Sequence, residues 1–317
     1  MRGNQQIPEG GFTFAHLTDP HLTDPLGASW RQLANKRLLG YLSWRRKRSA
    51  EHRVEVLEAL LADLALTRPQ HIVVTGDLTQ IGLPDEFRQA RRWLERLGER
   101  EQVTVVPGNH DAYVRADWAQ TGACWEDYMR SDPGYRGSAA LFPSLRVRDG
   151  VAVIGLNSAV VTPPFMATGR LGRAQRERFA GLLRRTGEQG LFRLVLLHHP
   201  PRVKDEKWRK RLVDGDALCR ILGDEGAELV LHGHGHHSAE GAIPFAGGAI
   251  PVFGIPSASA LGRRPGRCAR YYLYRVRRGE RNWSVQIRIR GYQPATGTFT
   301  ALDERYLSLP VMASTSC

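Results

Sequence analysis

The sequence predicts an α/β fold in a single domain, and three observations carry that expectation. Short runs of β-branched and aliphatic residues alternate with segments of helical apolar spacing. Strand followed by helix, repeated, implies a sheet of mainly parallel order in the first half, because parallel neighbours need a crossover. No linker rich in Pro, Gly or Ser and no internal repeat divides the 317 residues. One domain is therefore expected over residues 12–292, with tails at 1–11 and 293–317.

Taken in order, Phe12 to Leu17 reads as a strand that ends in Thr18-Asp19-Pro20-His21. Residues 24–50 form a basic insertion laced with aromatic side chains. Ser49 is placed to cap a helix whose apolar stripe is Val54, Leu57, Leu61 and Leu64. His71 to Thr75 is the second strand, ending in Gly76-Asp77-Leu78-Thr79. Helical spacing over Phe87 to Leu97 is closed by Gly98. Gln102 to Val106 is a third strand, leading through Pro107-Gly108 into Asn109-His110-Asp111. Leu145 to Ile154 reads as a hairpin that turns at Asp149-Gly150. A helix is expected at about 172–186, with Phe179, Leu182 and Leu183 inward. Leu194 to Leu197 is a core strand ending in His198-His199-Pro200-Pro201, and 214–224 looks helical. Leu229 to Leu231 is a strand ending in His232-Gly233-His234-Gly235-His236-His237. The remainder is β-rich: Pro251 to Ile255, Arg270 to Val276 and Trp283 to Arg290.

The formal net charge of +13 favours anionic partners: nucleic acid, an anionic membrane surface or phosphorylated substrates. Cys124, Cys219, Cys268 and Cys317 are scattered, which argues against a zinc ribbon or a disulfide framework and suits a reducing compartment. Met1 to Gly11 has no apolar core of a signal peptide, and no apolar run is long enough to span a bilayer. The expectation is a cytoplasmic protein, soluble or peripheral to the inner membrane face.

Five predicted strands end in metal-binding residue types: Asp19 and His21, Asp77, Asn109 with His110, His198 with His199, and His234 with His236. Core packing does not explain five such ends, and ligands in α/β sheets bind beyond the carboxyl ends of strands. Mixed nitrogen and oxygen donors without cysteine suit Mn, Fe or Zn rather than Ca. His16, His71 and His232 lie within strand-like runs and read as core or surface histidines, and Asp24 reads as a turn residue.

The ordered set Asp19-Pro20-His21, Gly76-Asp77, Gly108-Asn109-His110-Asp111, His198-His199-Pro200-Pro201 and Gly233-His234-Gly235-His236 resembles the calcineurin-like metallophosphoesterases. The wording around Asp77 and Asn109 is closest to the bacterial cyclic-nucleotide phosphodiesterase branch. The resemblance implies a four-layer α/β/β/α sandwich with two divalent metal ions. It places Asp19, His21 and His236 on one metal, Asn109, His198 and His234 on the other, and Asp77 between them. The sequence does not choose between His198 and His199 as the ligand. The resemblance makes His110 a non-ligand beside the substrate phosphate; if protonated it can stabilise developing charge, with Asp111 supporting the imidazolium. A metal-bridging hydroxide would then attack the phosphorus of a phosphodiester.

Two basic loops are expected to overhang the same edge. The first runs from Trp30 through Arg37, Leu38, Leu39, Tyr41, Leu42, Trp44 and Arg45 to Arg48; the second runs from Arg202 through Lys204 and Trp208 to Arg211. Arg37, Trp44, Arg45, Trp208 and His199 are the residues expected to face substrate or membrane. The best expectation for the substrate is a cyclic nucleotide or other small phosphodiester. The alternative is a lipid-linked pyrophosphate such as UDP-diacylglucosamine, cleaved at a membrane surface. From another class comes a basic module that binds membrane or nucleic acid, against which the full ligand set speaks; no DNA-reading motif is present.

Overall fold

The structure, a computed structural model, describes residues 10–22, 24–135, 140–201, 207–246 and 248–311. Its strands form two six-stranded mixed sheets. The first has the order β12-β11-β10-β1-β2-β3: β1 is Phe12–Leu17, β2 His71–Val74, β3 Val103–Val105, β10 Arg270–Arg278, β11 Asn282–Gln293 and β12 Thr298–Pro310. The second has the order β4-β5-β6-β7-β9-β8: β4 is Ser144–Arg148, β5 Val151–Gly155, β6 Phe192–Leu196, β7 Leu229–His232, β8 Ala239–Phe245 and β9 Gly248–Gly254. As the strand–helix alternation predicts, β1-β2-β3 and β5-β6-β7-β9 run parallel.

The two-residue periodicity of the strands sorts side chains into layers. Val151, Val153, Leu194, Leu196, Leu229 and Leu231 face inward and join the core shared with the first sheet. Their neighbours Ala152, Ile154, Val195, Leu197 and Val230 face outward onto two helices, α5 (Arg173–Glu188) and α6 (Gly215–Glu225). Phe192 meets Trp283 edge-on across the sheets, with centroids 5.4 Å apart. Helices α3 (Val54–Thr67) and α4 (Pro84–Leu97) cover the other side of the first sheet. Asp63 of α3 is tied to that sheet by Tyr271 and by Arg290, whose Nε donates at 2.5 Å and Nη2 at 2.6 Å. The result is the expected four-layer α/β/β/α sandwich.

The basic insertion folds as α1 (Trp30–Leu33), α2 (Arg37–Ser43) and a wide turn over Trp44–Arg48, closed by Ser49 N donating to Trp44 O. Asp24 caps the short turn Pro25–Gly27 before it, as its turn-residue reading implies. Ser49 does not cap α3. Residues 49–51 form a turn, Arg53 N donates to Ser259 O and His52 bridges to Ala260, so Arg53 is extended and α3 starts at Val54. The buried stripe is accordingly Val56, Leu57, Leu60 and Leu64. The expected hairpin is present, with Asp149 and Gly150 both at positive φ (44° and 80°), as a type I′ turn requires.

Two strands went unread in the sequence. The segment expected as a C-terminal tail contains β12, an edge strand paired along β11. Most of β12 is exposed and it carries Asp303, Glu304 and Arg305 near its centre, the charges that keep an open edge from pairing further. β8 is likewise half-exposed and lacks apolar alternation.

Candidate metal centre

The carboxyl ends of β1, β2, β3, β6 and β7 converge where the two sheets meet. Asp19 N donates to Gly76 O at 3.0 Å and His21 N to Asp77 O at 3.1 Å, joining the β1 and β2 loops, and Gly233 N donates to His198 O at 3.0 Å, joining the β6 and β7 loops. Five non-glycine residues here hold positive φ: Asp19 (49°), His21 (43°), Asp77 (57°), His234 (70°) and His236 (52°). Such conformations cost energy for residues with a Cβ and mark places where side chains are forced to a task. The glycines of the motifs follow from the same crowding. A Cβ on Gly108 would lie 2.2 Å from Asp77 Oδ1; one on Gly76, itself at φ +92°, would lie 2.6 Å from Gly108 N.

Two groups of donors result. Asp19, His21, Asp77 and His236 bring one ligand atom each to within 4.8 Å of one another. Within this group His236 Nε2 is 3.1 Å from Asp19 Oδ1 and 3.3 Å from His21 Nε2. In the second group His198, His199 and His234 converge in the same way, and His198 Nε2 lies 3.2 Å from Asn109 Oδ1. Asp77 Oδ2 lies between the groups, 3.3 Å from His198 Nε2 and 4.0 Å from His21 Nε2.

These side chains are oriented from behind. His198 Nδ1 donates to Thr75 O at 2.7 Å and His21 Nδ1 to Thr79 O at 3.1 Å, so each turns Nε2 toward the cluster. Burial, with the neighbouring imidazoles, holds His21 and His234 well below the usual histidine range, so both offer lone pairs. His198 differs: burial disfavours its charge, but the adjacent Asp77 carboxylate outweighs this and pushes it up to about 9. Asp19 Oδ1 and His234 Nε2 are buried without a hydrogen bond. Buried donors this close, several without a proton to share, fit divalent metal ions.

His199 is the less available of its pair. Its Nδ1 meets Ser158 Oγ at 2.8 Å and its Nε2 meets Ala167 O at 3.2 Å, so both ring nitrogens are engaged while His198 faces Asn109 and Asp77. His110 points its Nε2 to 4.0 Å from Asp77 Oδ2 and places Nδ1 2.5 Å from Gln80 O. Burial pushes its imidazole down to about 4; Asp77 opposes the shift and Arg48 adds to it. In the metal-free protein that shift leaves the ring neutral near pH 7.

Asp111 does not support that ring. Its carboxylate accepts from the backbone N–H groups of Asp77, Thr79 and Gly108, each at 2.9 Å, and of Leu78 at 3.4 Å. It holds two of the loops together, while burial and the nearby Asp77 push it up to about 7. Its carboxylate is directed at the backbone of these loops.

Arg37 and Trp44 do not face a membrane. Arg37 is buried, donating from Nε to Ile81 O at 3.1 Å and from Nη2 to Gly82 O at 2.6 Å. Trp44 is buried and lines a cleft that reaches His21. Arg45 and Trp208 are exposed, whereas Arg202 and Lys204 lie outside the described residues. His16, His71 and His232 are core histidines: His16 Nε2 meets Thr75 Oγ1 at 2.9 Å, His71 Nε2 meets Thr104 Oγ1 at 2.8 Å and His232 Nδ1 meets Gly233 O at 3.0 Å. Two residues at the site were not singled out. His52 joins His21 and His236, held by Ser259 Oγ at 2.8 Å. Arg48 Nη1 lies 3.1 Å from both ring nitrogens of His110. His52 follows no strand and carries no sequence signal, and Arg48 was one cation in a basic run.

A model of the calcineurin-like phosphoesterase family matches residues 12–238. A probable cyclic nucleotide phosphodiesterase of Synechococcus sp. is 27% identical over 183 residues, 57% of this chain and 63% of that protein. A cAMP/cGMP dual specificity phosphodiesterase of Mycobacterium tuberculosis is 28% identical over 236 residues, 73% of this chain and 64% of that protein. The matched region thus spans under two thirds of these relatives' own length. Among solved structures, a dimetal phosphatase from Danio rerio superposes with a TM-score of 0.58 at 12% identity, covering 94% of this chain and 99% of its own. A purple acid phosphatase from yellow lupin gives 0.56 at 10% identity, covering 94% of this chain and 54% of its own. At such identity these two likenesses speak to the fold.

Proposed function

Because the chain belongs to the calcineurin-like phosphoesterase family, we propose that it hydrolyses a phosphodiester at a centre of two divalent metal ions, with a cyclic nucleotide or other small diester as substrate. The observation that carries this reading is the pair of donor groups sharing Asp77. Asp19, His21 and His236 would hold one ion and Asn109, His198 and His234 the other, with the Asp77 carboxylate available to both. When bound, the ions supply the positive charge that activates water and offsets charge on the phosphorus oxygens. The protein supplies the geometry. Thr75 O and Thr79 O fix the imidazoles of His198 and His21, and Asp111 fixes the loop that carries Asp77. His110 N donates to Asp77 Oδ1 at 2.7 Å, which orients the bridging carboxylate. The neutral His110 ring, with Nδ1 donating to Gln80 O, presents the Nε2 lone pair on the substrate side, where it can take up a proton. Two carboxylates against two divalent ions leave the site cationic, which suits a singly charged diester.

The test is a panel with Mn²⁺-loaded protein: a cyclic nucleotide, an aryl phosphodiester, an aryl monoester and a UDP-linked diacyl lipid. Turnover of the first two above the monoester is expected. Metal-replete protein that hydrolyses none of the four would overturn the proposal, and biological activity intact without metal would favour a basic binding module.

A second reading, hydrolysis of a lipid-linked pyrophosphate at an anionic membrane surface, is favoured by one feature. Trp30 (74% exposed), Leu38, Leu39, Leu42, Phe165 (77%) and Trp208 (64%) are exposed on three adjoining segments, among Arg31, Arg45 and Arg209. Lys36 Nζ donates to Thr162 O at 2.9 Å and Ala167 N to Arg209 O at 2.8 Å, which join the segments. Among the described residues no helix is long and apolar enough to cross a membrane. This reading predicts salt-sensitive sedimentation with anionic but not neutral vesicles, together with turnover of the UDP-linked lipid. Absence of either result removes it.

A further inference from the structure

Arg48 has no described carboxylate within ion-pair distance, although it sits beside the phosphate-facing His110. The insertion that carries it is pinned to the catalytic loops. Arg37 donates to Ile81 O and Gly82 O, and α2 packs so tightly on Tyr113 that a Cβ on Gly40 would lie 2.4 Å from the Tyr113 hydroxyl. The wide turn over Trp44–Arg48 then brings the guanidinium over His110, with Nη1 3.1 Å from Nδ1 and from Nε2. Nη2 donates to Gly40 O at 3.0 Å, while Nε is buried without a partner.

A guanidinium stays charged, and taking a charge out of water is costly unless an anion meets it. The neutral groups here satisfy only part of its donor fork. The Asp77 carboxylate lies 4.0 Å from His110 Nε2 and is directed at the imidazoles of the metal centre; burial disfavours the Arg48 charge and outweighs Asp77 and Glu86, which favour it. We propose that Arg48 is a substrate-binding residue, whose guanidinium donates to non-bridging oxygens of the substrate's phosphate beside His110. The inference rests on the phosphoesterase reading of the site and deepens it, because phosphate recognition then depends on the insertion as well as on the metal ligands. A forked donor matches two phosphate oxygens at once, which a lysine cannot do.

The experiment reads binding, not turnover. Metal-loaded wild type and the variants Arg48→Ala, Arg48→Met and Arg48→Lys are titrated calorimetrically with inorganic phosphate, and the metal content of each is measured. Losing a charge-assisted hydrogen bond is expected to weaken phosphate binding about 10- to 100-fold in Arg48→Ala and Arg48→Met, with metal content unchanged. Arg48→Lys is expected to recover part of the loss. Arg48→Met keeps the apolar stem and so serves if the alanine variant unfolds. Phosphate bound by either neutral variant as tightly as by wild type would overturn the inference. So would a loss that merely follows loss of metal. Wild type that binds phosphate through Arg48 yet hydrolyses nothing in the substrate panel would refute the phosphodiesterase reading alone.

Discussion

Asp77→Asn isolates the charge on which both donor groups depend. Asn is nearly isosteric. Its Oδ1 can still accept from His110 N, and its amide can donate toward His198 Nε2, which lies 3.3 Å from the replaced oxygen. The backbone is therefore expected to stay in place while one negative charge disappears between two metal positions. A charge pair at 3.3 Å is worth about 5 kcal/mol at an effective dielectric of about 20. The net rise of His198 from 6.5 to about 9, in which burial is outweighed by Asp77, Asp19 and Thr75 O, corresponds to about 3 kcal/mol. Metal affinity should thus fall by roughly 100-fold to several thousand-fold, and turnover with it. Calorimetric titration with Mn²⁺ and elemental analysis after dialysis measure the first effect, and hydrolysis of an aryl diester the second. In the metal-free variant, NMR titration should find His198 no longer raised, since burial then acts unopposed. A variant that keeps two metals at wild-type affinity, or a His198 still titrating near 9, would refute the assignment of Asp77 as the shared carboxylate.

Other outcomes follow from the same geometry. His110→Ala should retain both metals, because its ring is not among the donors, yet slow turnover by about 100-fold or more; unchanged turnover would leave His110 without a chemical role. Metal binding at pH 7 should release a proton from His198, since, against burial, the Asp77 carboxylate pushes its pKa up to about 9 when no metal is bound, and affinity should rise with pH up to that value. Calorimetry in two buffers of different ionisation enthalpy measures the released proton. For the metal-free fold the sign is fixed too. The raised His198 contributes stability in full below about pH 6.5, and that contribution disappears as pH rises through about 9, which thermal melts at pH 7 and 10 can read. Glu228→Ala should cost about 3–5 kcal/mol by removing the carboxylate that pairs with buried Arg193, whose Nη2 lies 2.9 Å from Glu228 Oε1. Metal content of that folded variant should be normal, and a denaturant midpoint equal to wild type would show the pair to be dispensable.

The ligand constellation was legible because the chemistry has a local signature. A strand that leaves a buried sheet is apolar up to its last residue, so Asp19, Asp77, Asn109, His198 and His234 stand out at its end. Parallel order, implied by the alternation of strands and helices, puts the ends of β1, β2 and β3 on one edge and those of β6 and β7 on another. What the sequence by itself determined was therefore the alternation of elements and the donors at the strand ends; the packing of two sheets brings those ends together. Only the tertiary structure decided which of His198 and His199 faces Asp77, because the choice depends on hydrogen bonds from Thr75, Ser158 and Ala167 on other elements. It also decided that Asp111 holds the backbone of Asp77, Leu78 and Thr79, contacts between loops about 33 residues apart. Edge strand β12 escaped detection because backbone pairing, not apolar burial, secures it. The basic insertion is the clearest case. In sequence its cations and aromatics form one amphipathic run. In the fold Arg37 and Trp44 turn inward and Arg48 reaches His110, while Trp30, Leu38, Leu39 and Leu42 remain outside. Composition does not separate those fates; which face of α2 meets the loop at Ile81 and Gly82 does.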